Sequence, residues 1–328
     1  MEQDKVLLSV RKQGKKEYID NNIFFSLVVL YGIEQYKEEL NGALKKEFDT
    51  RKAALKEQLP LYTNPYRATI NFWQTQPLNQ WPGNKNWAKK KQRHIPDDFD
   101  DNVYARMLYI DEEADKLLCN LLEKKRNGSD YWAKNLPDSL RKQEVYNTWI
   151  GKKMPKEIDI VVLSNILLYK RNKNISRTDS LSLDYIARTY KSAKKWQNGK
   201  ILSPQYARYS TVLYHLTRLK LVYPKWEVST EELLDELKSI DTVGMDLIEQ
   251  VVIANSIMKL GGAREVQTGK WKEKSDYAFF YANAGSVFAK PLNKIISSIP
   301  RYFMPYYCEG LNYFLLWEYS HLKTKKGL

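Results

Sequence analysis

The segment IPDDFDDNVYAR, from Ile95 to Arg106, places four aspartates within five residues, directly before apolar residues at helical spacing. Aspartate is a favoured N-cap, and a carboxylate near a helix N-terminus interacts favourably with the helix dipole. The segment therefore predicts the start of a helix over about Asp98–Tyr109. A second helix is predicted to follow over Glu112–Lys125, so that the two form a pair.

The same arrangement of paired helices recurs along the chain, with glycine and proline at the joints. Helical hairpins bury both of their faces only by stacking, and about six pairs can close into a ring. We therefore predict an all-α protein, an α/α toroid of about six helix pairs that spans residues 1–328 as a single domain. An open α-solenoid is the alternative fold. The other predicted helices are Ile19–Tyr36 with a charged helix to Leu59, Asn64–Trp73, Asp138–Trp149 with Glu157–Arg171, Ser180–Ser192 with Pro204–Leu219, Thr230–Lys238 with Met245–Leu260, and Asp276–Ala289 with Pro305–Leu322.

Residues 74–95 are rich in proline, glycine, asparagine and tryptophan. Loops of this length in compact domains are often functional. We expect this loop to be ordered and to lie near the mouth of the barrel, beside the aspartates.

The composition narrows the classes of partner and compartment. Lysine and arginine total 53 against 39 aspartates and glutamates, a formal net charge of +14, which attracts anions such as nucleic acid, acidic lipid headgroups or phosphorylated small molecules. No zinc-ligand spacing or aromatic RNA-binding signature accompanies the charge, so nucleic acid is an improbable partner. Two distant cysteines, Cys119 and Cys308, favour a reducing, cytoplasmic compartment. The apolar run Ile23–Ile33 is shorter than the roughly 20 residues of a membrane span, and it predicts a core helix.

The aspartate cluster carries two possible roles. One or two carboxylates suffice to cap a helix, and four repel one another. Packed carboxyls raise each other's pKa, and a retained proton is what a general acid requires. The helix N-terminus acts in the opposite direction, towards ionisation. Helix capping and acid chemistry therefore both remain open.

Two short motifs in this cluster resemble those of terpene enzymes. Asp98-Phe99-Asp100-Asp101 has the form Asp-x-Asp-Asp and resembles the acid motif of class II terpene cyclases; the resemblance implies that Asp100 donates the proton while Asp98 and Asp101 tune it. Asp97-Asp98-Phe99-Asp100-Asp101 also has the form Asp-Asp-x-x-Asp and resembles the magnesium–diphosphate motif of class I terpene synthases. That second resemblance implies Mg²⁺ held by Asp97, Asp98 and Asp101, whereas the first implies no cofactor.

The wider chain, from about Asn64 onward, resembles the superfamily of squalene–hopene cyclases and protein prenyltransferase β subunits, which are α/α toroids. The likeness is in stretches that look like the starts of inner-ring helices, where polar residues at the rim meet an apolar barrel. They are Pro96–Asp101, Ile158–Asn165, Ser203–Tyr209 and Ile248–Asn255.

Aromatic side chains are abundant, and those beside the acidic loop or at presumed inner-helix starts are candidates for lining a pocket. Aromatic faces attract cations and bind apolar ligands, although most aromatics pack a core. His94 is near enough in sequence to contact the aspartates, and Arg106 is placed to pair with a carboxylate or a substrate phosphate. The candidate pocket residues are Trp73, Trp81, Trp87, Tyr104, Tyr206, Tyr209, Tyr306 and Tyr313.

Three functions follow as hypotheses. The first is a terpene cyclase-like enzyme that starts the cyclisation of an isoprenoid, or another large apolar substrate, with the proton of Asp100. The second is a Mg²⁺-dependent enzyme acting on an isoprenoid diphosphate. The third is a non-catalytic toroid that binds a lipidic ligand or a protein partner. The expected partner is an apolar or isoprenoid small molecule, with a protein as the alternative under the third hypothesis, and the basic surface allows peripheral contact with a membrane.

Overall fold

The computed structural model describes residues 6–91, 94–130, 132–133, 142–151, 154, 156–193, 199–267, 275–283, 299 and 302–328. This part of the chain is mostly helical and also contains a four-stranded antiparallel sheet. No helix within it combines the length and the apolar character that crossing a bilayer requires. The helices are α1 (Phe24–Glu34), α2 (Gly42–Tyr62), α3 (Lys85–Ala88), α4 (Phe99–Leu108), α5 (Glu112–Lys125), α6 (Ile160–Lys170), α7 (Arg177–Ala193), α8 (Gly199–Leu202), α9 (Tyr209–Val222), α10 (Thr230–Ser239), α11 (Leu247–Lys259) and α12 (Glu309–Lys325), with a 3-10 turn at Lys37–Glu39.

Six of these helices, here called the core helices, contact one another in a cyclic order. α1 contacts α4, and the contacts continue through α6, α9, α11 and α12 back to α1. Their sequences suit this position, because a helix that is apolar on all sides is buried on all sides. Every residue of α6 from Ile160 to Tyr169 is buried, including Ser164 and Asn165. The helices α2, α5, α7 and α10 each contact the core helix that precedes them in the chain.

The sheet joins the two ends of the chain. Its strands are β1 (Ser9–Gln13), β2 (Lys16–Asp20), β3 (Phe280–Asn283) and β4 (Phe303–Tyr307), in the order β2-β1-β4-β3. Gly14, with a φ of +63°, begins the two-residue turn between β1 and β2, a conformation that glycine adopts without a steric cost. Burial alternates along β1 and β4, as expected for strands that have one face on a core.

The all-α prediction is therefore wrong for this part of the fold. Phe280–Asn283 lies in the predicted helix Asp276–Ala289, and Phe303–Tyr307 overlaps the start of the predicted helix Pro305–Leu322. These residues form strands because β4 pairs with β1, almost 300 residues earlier in the chain. Strand formation here depends on that distant partner, which the local sequence pattern does not reveal. Residues 284–289 lie outside the described residues.

Three other predicted helices also differ from the structure. Asn64–Trp73 is irregular, because the Asn64 side chain accepts from the Tyr66 amide in a local turn and Ala68 takes a positive φ of 53°. The described part of Asp138–Trp149, residues 142–149, is irregular, and it bonds to the aspartate segment through the amide of Phe99 and the carbonyl of Thr148. Residues 138–141 lie outside the described residues. The predicted helix Pro204–Leu219 begins only at Tyr209.

The remaining predicted helices are confirmed to within three residues, except that Ile19–Tyr36 begins only at Phe24, because Ile19 and Asp20 belong to β2. Local caps account for them: Asp111 caps α5, Asp159 caps α6, Ser229 caps α10 and Asp246 caps α11, each through its side-chain oxygen.

Candidate functional site

The four aspartates lie at the N-terminal end of α4. Asp98 is the N-cap, and its Oδ1 accepts a hydrogen bond from the amide of Asp101 at 3.0 Å. The side chains of Asp97, Asp100 and Asp101 are buried, while Asp98 is half-buried. The capping role is therefore filled by one aspartate, and the other three carboxyls have different surroundings.

Asp100 is held between two other core elements. Its Oδ1 accepts from Asn165 Nδ2 on α6 at 2.8 Å, and its Oδ2 accepts from the hydroxyl of Tyr206, just before α9. Burial raises the pKa of Asp100 to about 7, even though both hydrogen bonds favour the charged form. Near neutral pH this carboxyl is therefore present in both its protonated and its ionised state.

Asn165 connects Asp100 to the interior of the molecule. Its Oδ1 accepts from the Tyr104 hydroxyl at 3.1 Å and lies 3.0 Å from His215 Nδ1. Burial, and then the nearby cations Arg218 and Lys259, lower the pKa of His215 well below its usual value, so the ring is neutral and donates from Nδ1. The Tyr104 hydroxyl in turn accepts from Arg218 Nη1 at 3.1 Å. A continuous series of hydrogen bonds thus joins Asp100 to Arg218.

Asp101 differs from Asp100, because both of its carboxyl oxygens lack a hydrogen-bond partner among the described residues. Burial first, and then the carboxyls of Asp98 and Asp100, raise the pKa of Asp101 well above its usual value. Burial and Asp100 also raise the pKa of Asp98, although part of that side chain reaches solvent. The surroundings of Asp101 therefore favour the neutral form of its carboxyl.

Asp97 faces away from this cluster towards residues 64–71. Its carboxylate accepts from Thr69 Oγ1 at 2.6 Å, Asn64 Nδ2 at 3.1 Å and Asn71 Nδ2 at 3.1 Å, and it pairs with Arg67 at 2.9 Å. Within the described ranges, no group of three or more His, Cys, Asp or Glu side chains is arranged to hold a metal ion. The Mg²⁺ site at Asp97, Asp98 and Asp101 stays a prediction.

Aromatic rings fill the space around Asp100. Phe24 contacts the rings of Tyr104, Tyr206 and Phe280 at centroid distances between 5.2 and 6.2 Å. Tyr206 also contacts His215 at 5.3 Å. The side chain of Asp100 is therefore enclosed by protein rather than by an empty chamber.

A cavity of about 470 Å³ lies at the opposite end of the core helices. Tyr206, which precedes α9, bonds to Asp100, whereas Arg218, one turn before the end of α9, lines the cavity. Other lining residues lie towards the C-terminal ends of α1, α6 and α11 and along α12. Its apolar wall includes Val28, Leu168, Met258, Phe279, Phe314 and Leu315, and its polar groups include Tyr36, Tyr214, Arg171, Arg218, Lys259 and Glu318.

The three tryptophans of the predicted pocket pack instead beneath the sheet. Trp73, Trp81 and Trp87 form a row of buried rings, with centroid distances of 4.6 and 4.7 Å between neighbours. Trp73 Nε1 donates to Asp20, which pairs with the buried Arg11 of β1 at 2.7 Å. The 74–95 loop is anchored to β1 through Trp81, since the guanidinium of Arg11 lies 5.0 Å from its ring centroid, and Ile95 N donates to Gln80 Oε1 within the loop.

The structure joins only Tyr104 and Tyr206 of the other candidates to Asp100. Tyr209 is directed to α10, where its hydroxyl donates to Glu236 at 2.9 Å, and Tyr313 is 53% exposed. Arg106 lies 3.6 Å from Asp111. His94 Nε2 bonds to the Ala88 carbonyl rather than to an aspartate. Tyr306 is buried in β4 among Phe25, Phe72 and Phe280.

Sequence reasoning missed Asn165, His215, Arg218 and the charged residues of the cavity. One signal was available for Asn165, since an amide inside the apolar run IVVLSNILLY predicts a buried polar group that needs partners. His215 and Arg218 carry no comparable signal, because polar residues at helical spacing also describe an exposed face.

Comparison with family models, with curated proteins and with solved structures finds no match to this chain.

Proposed function

We propose that this chain is an α/α toroid that binds an elongated, largely apolar small molecule in the cavity at the C-terminal ends of its core helices. The cavity is the observation that carries the proposal. A volume of about 470 Å³ is in the range of small-molecule sites, and a mostly apolar wall with a few polar groups is typical of them.

The cyclic order of contacts among the core helices supports the toroid and, with it, the likeness to the terpenoid cyclase and prenyltransferase superfamily. In such an arrangement the C-terminal ends of the core helices surround one opening, and a ligand there is enclosed by several helices at once. The filled space around Asp100 supports binding at the cavity rather than at the aspartates.

Binding of an uncharged ligand with a long hydrocarbon tail tests this proposal. Dodecanol, titrated calorimetrically against the whole chain, is expected to bind and to raise the melting temperature. A Cβ at Gly32 would overlap the ring of Phe314, and both residues line the cavity. Gly32→Ala therefore moves that ring into the cavity and is expected to weaken binding by about tenfold, equivalent to about two methylenes of buried contact.

The matched control is Gly310→Ala on α12. A Cβ there would overlap Leu7 instead, which does not line the cavity. This variant is expected to bind dodecanol as the wild type does. Absence of binding by the wild type, or equal losses in both variants, would show that the cavity is not the site.

A second candidate is the acid-initiated cyclisation of an isoprenoid with Asp100 as proton donor. It is favoured by the burial of Asp100, which raises the pKa of that carboxyl to about 7 and leaves a fraction of it protonated at neutral pH. The donor would add that proton to an alkene carbon, but only after the rings of Phe24 and Tyr206 move aside. Asp100→Asn keeps the side-chain shape and is expected to abolish turnover of squalene or farnesol while the melting temperature is retained. If the wild type turns over neither substrate, the cyclisation proposal fails and only the binding proposal stands.

A further inference from the structure

The charges around the cavity are strongly unequal. Five cationic residues line it, Arg171, Arg218, Lys259, Lys325 and Lys326, against the single acidic residue Glu318. A cation shielded from water costs free energy unless an anion or hydrogen bonds compensate it. This cost applies to Arg218 and Lys259, which are half-buried, more than to Arg171, which is exposed.

Two of the five are already paired. Glu318 binds Lys259 at 2.7 Å and also accepts hydrogen bonds from Tyr36, Tyr214 and Asn255, so its oxygens are fully used. Lys325 pairs with Glu39 at 2.6 Å. In the described part of the chain, Arg171, Arg218 and Lys326 form no ion pair.

The two arginines converge on one tyrosine. The guanidinium of Arg218 lies over the ring of Tyr31, 5.1 Å from its centroid, while Arg171 Nη1 donates to the hydroxyl of the same ring at 3.0 Å. The other partners of these guanidinium groups are neutral oxygens, Tyr104 Oη at 3.1 Å for Arg218 and Gln35 Oε1 at 3.5 Å for Arg171. Two cations without a carboxylate partner among the described residues therefore contact Tyr31 at the cavity, Arg218 at the ring face and Arg171 at the hydroxyl.

A helix dipole explains the position of only one of these two arginines. Arg171 is the C-cap of α6, where a cation is favoured by the nearby carbonyls. Arg218 lies four residues before the end of α9 and donates to a tyrosine hydroxyl rather than to a helix carbonyl. Its charge also lies near Lys259, whose pKa is lowered by burial and, more weakly, by Arg218.

We propose that Arg218 and Arg171 bind the oxyanion head of an amphipathic ligand, a carboxylate or a phosphate monoester, whose hydrocarbon chain fills the cavity. This inference rests on the proposed binding of an apolar molecule there. Guanidinium groups suit such heads, because their planar donors match the oxygens of a carboxylate or phosphate in pairs. The apolar wall from Val28, Leu168, Phe279 and Phe314 receives the chain.

Three ligands that share the same hydrocarbon tail separate the contribution of the head group to the affinity from that of the tail. Dodecanol, dodecanoate and dodecyl phosphate are titrated calorimetrically below their micellar concentrations. Both anions are expected to bind at least about tenfold more tightly than the alcohol, because a hydrogen bond to a charged group contributes about 1.5–3 kcal/mol. That preference is expected to shrink as salt rises. Whichever of the two anions binds more tightly identifies the preferred head group, a carboxylate or a phosphate.

Variants assign the preference to residues. Arg218→Met keeps much of the apolar stem of the side chain but removes its charge. The affinities for the two anions are therefore expected to fall to within about twofold of the affinity for the alcohol, because the charge-assisted hydrogen bonds are lost. Arg171→Met, at the exposed rim, is expected to have a smaller effect in the same direction and to fold normally. The control is Arg51→Met on α2, an exposed residue paired with Glu47. It is expected to change nothing.

The outcomes distinguish the two proposals. Equal binding of alcohol and anions, or a preference that survives in the Arg171→Met/Arg218→Met double variant, overturns the head-group site while the cavity proposal stands. No binding of any of the three ligands overturns both.

Discussion

At the residue scale, four aspartates of one short segment have four different surroundings. Asp97 has several donors, Asp98 caps a helix, Asp100 has two donors from other elements, and Asp101 has none among the described residues. Burial favours the neutral form of a carboxyl and donors favour the charged form. The partners therefore decide each protonation state, although the residue type is the same.

Asp101→Asn is expected to stabilise the protein increasingly as pH rises. The folded-state pKa of Asp101 lies above its unfolded value of about 3.9, so the folded state binds more protons and wild-type stability is lost as pH rises above that value. Asparagine does not ionise, so the variant does not lose this stability as pH rises. Its advantage should be near zero at pH 4 and grow by about 1.4 kcal/mol per pH unit until the folded pKa is passed.

Urea unfolding at pH 4, 6 and 8 measures this effect, with Asp241→Asn as the control. Asp241 is exposed and its oxygen accepts from the Val243 amide, which asparagine can also do. An advantage of Asp101→Asn that does not change with pH would show that Asp101 is ionised in the folded state.

At the element scale, buried polar groups fix how the core helices lie against one another. Apolar helices pack in many similar ways, but a hydrogen bond forms only in one register. Asn165 on α6 bonds to Asp100 and Tyr104 on α4 and lies 3.0 Å from His215 on α9. This one amide therefore aligns three neighbouring core helices.

Asn165→Ala is expected to lower the free energy of unfolding by about 3 kcal/mol, because it removes one hydrogen-bond partner from each of Asp100, Tyr104 and His215, which are buried on two other helices. Chemical denaturation of the purified chain measures the loss. The control is Ser164→Ala, since the equally buried Ser164 bonds only to the Ile160 carbonyl of its own helix. Equal losses in the two variants would contradict a role in helix alignment.

At the scale of the whole molecule, the end of the chain is tied to its beginning. β1 pairs with both β2 and β4, and α12 contacts α1. Glu318 on α12 accepts from Tyr36, which follows α1, as well as from Tyr214 on α9, and it pairs with Lys259 on α11. A single buried carboxylate therefore joins three core helices and the segment that follows α1.

Glu318→Gln is expected to cost about 3–5 kcal/mol of stability, the range for removing one partner of a buried ion pair, because Lys259 then lies beside Arg218 without a counter-charge. Thermal and urea unfolding measure it. In the control, Glu38→Gln removes an exposed pair with Lys45 and should cost less than about 1 kcal/mol. A loss as small as that of the control would mean that Glu318 is not needed to close the cycle of helices.

Most helices could be predicted from the sequence, whereas the chemistry inferred for the aspartates stays a prediction. Asp98, Asp111 and Ser229 cap helices through bonds to amides within three residues, and such local signals are legible in the sequence. The sequence predicts Tyr206 only as a candidate for lining a pocket, and its bond to Asp100 joins residues 106 positions apart. Only the tertiary structure decided that Ser9–Gln13 pairs with Phe303–Tyr307, that Asn165 and Arg218 connect to Asp100, and that the cavity lies at the far end of the core helices. The reason is physical: these features depend on residues tens to hundreds of positions apart, and neither helical periodicity nor local capping carries information about which distant groups meet.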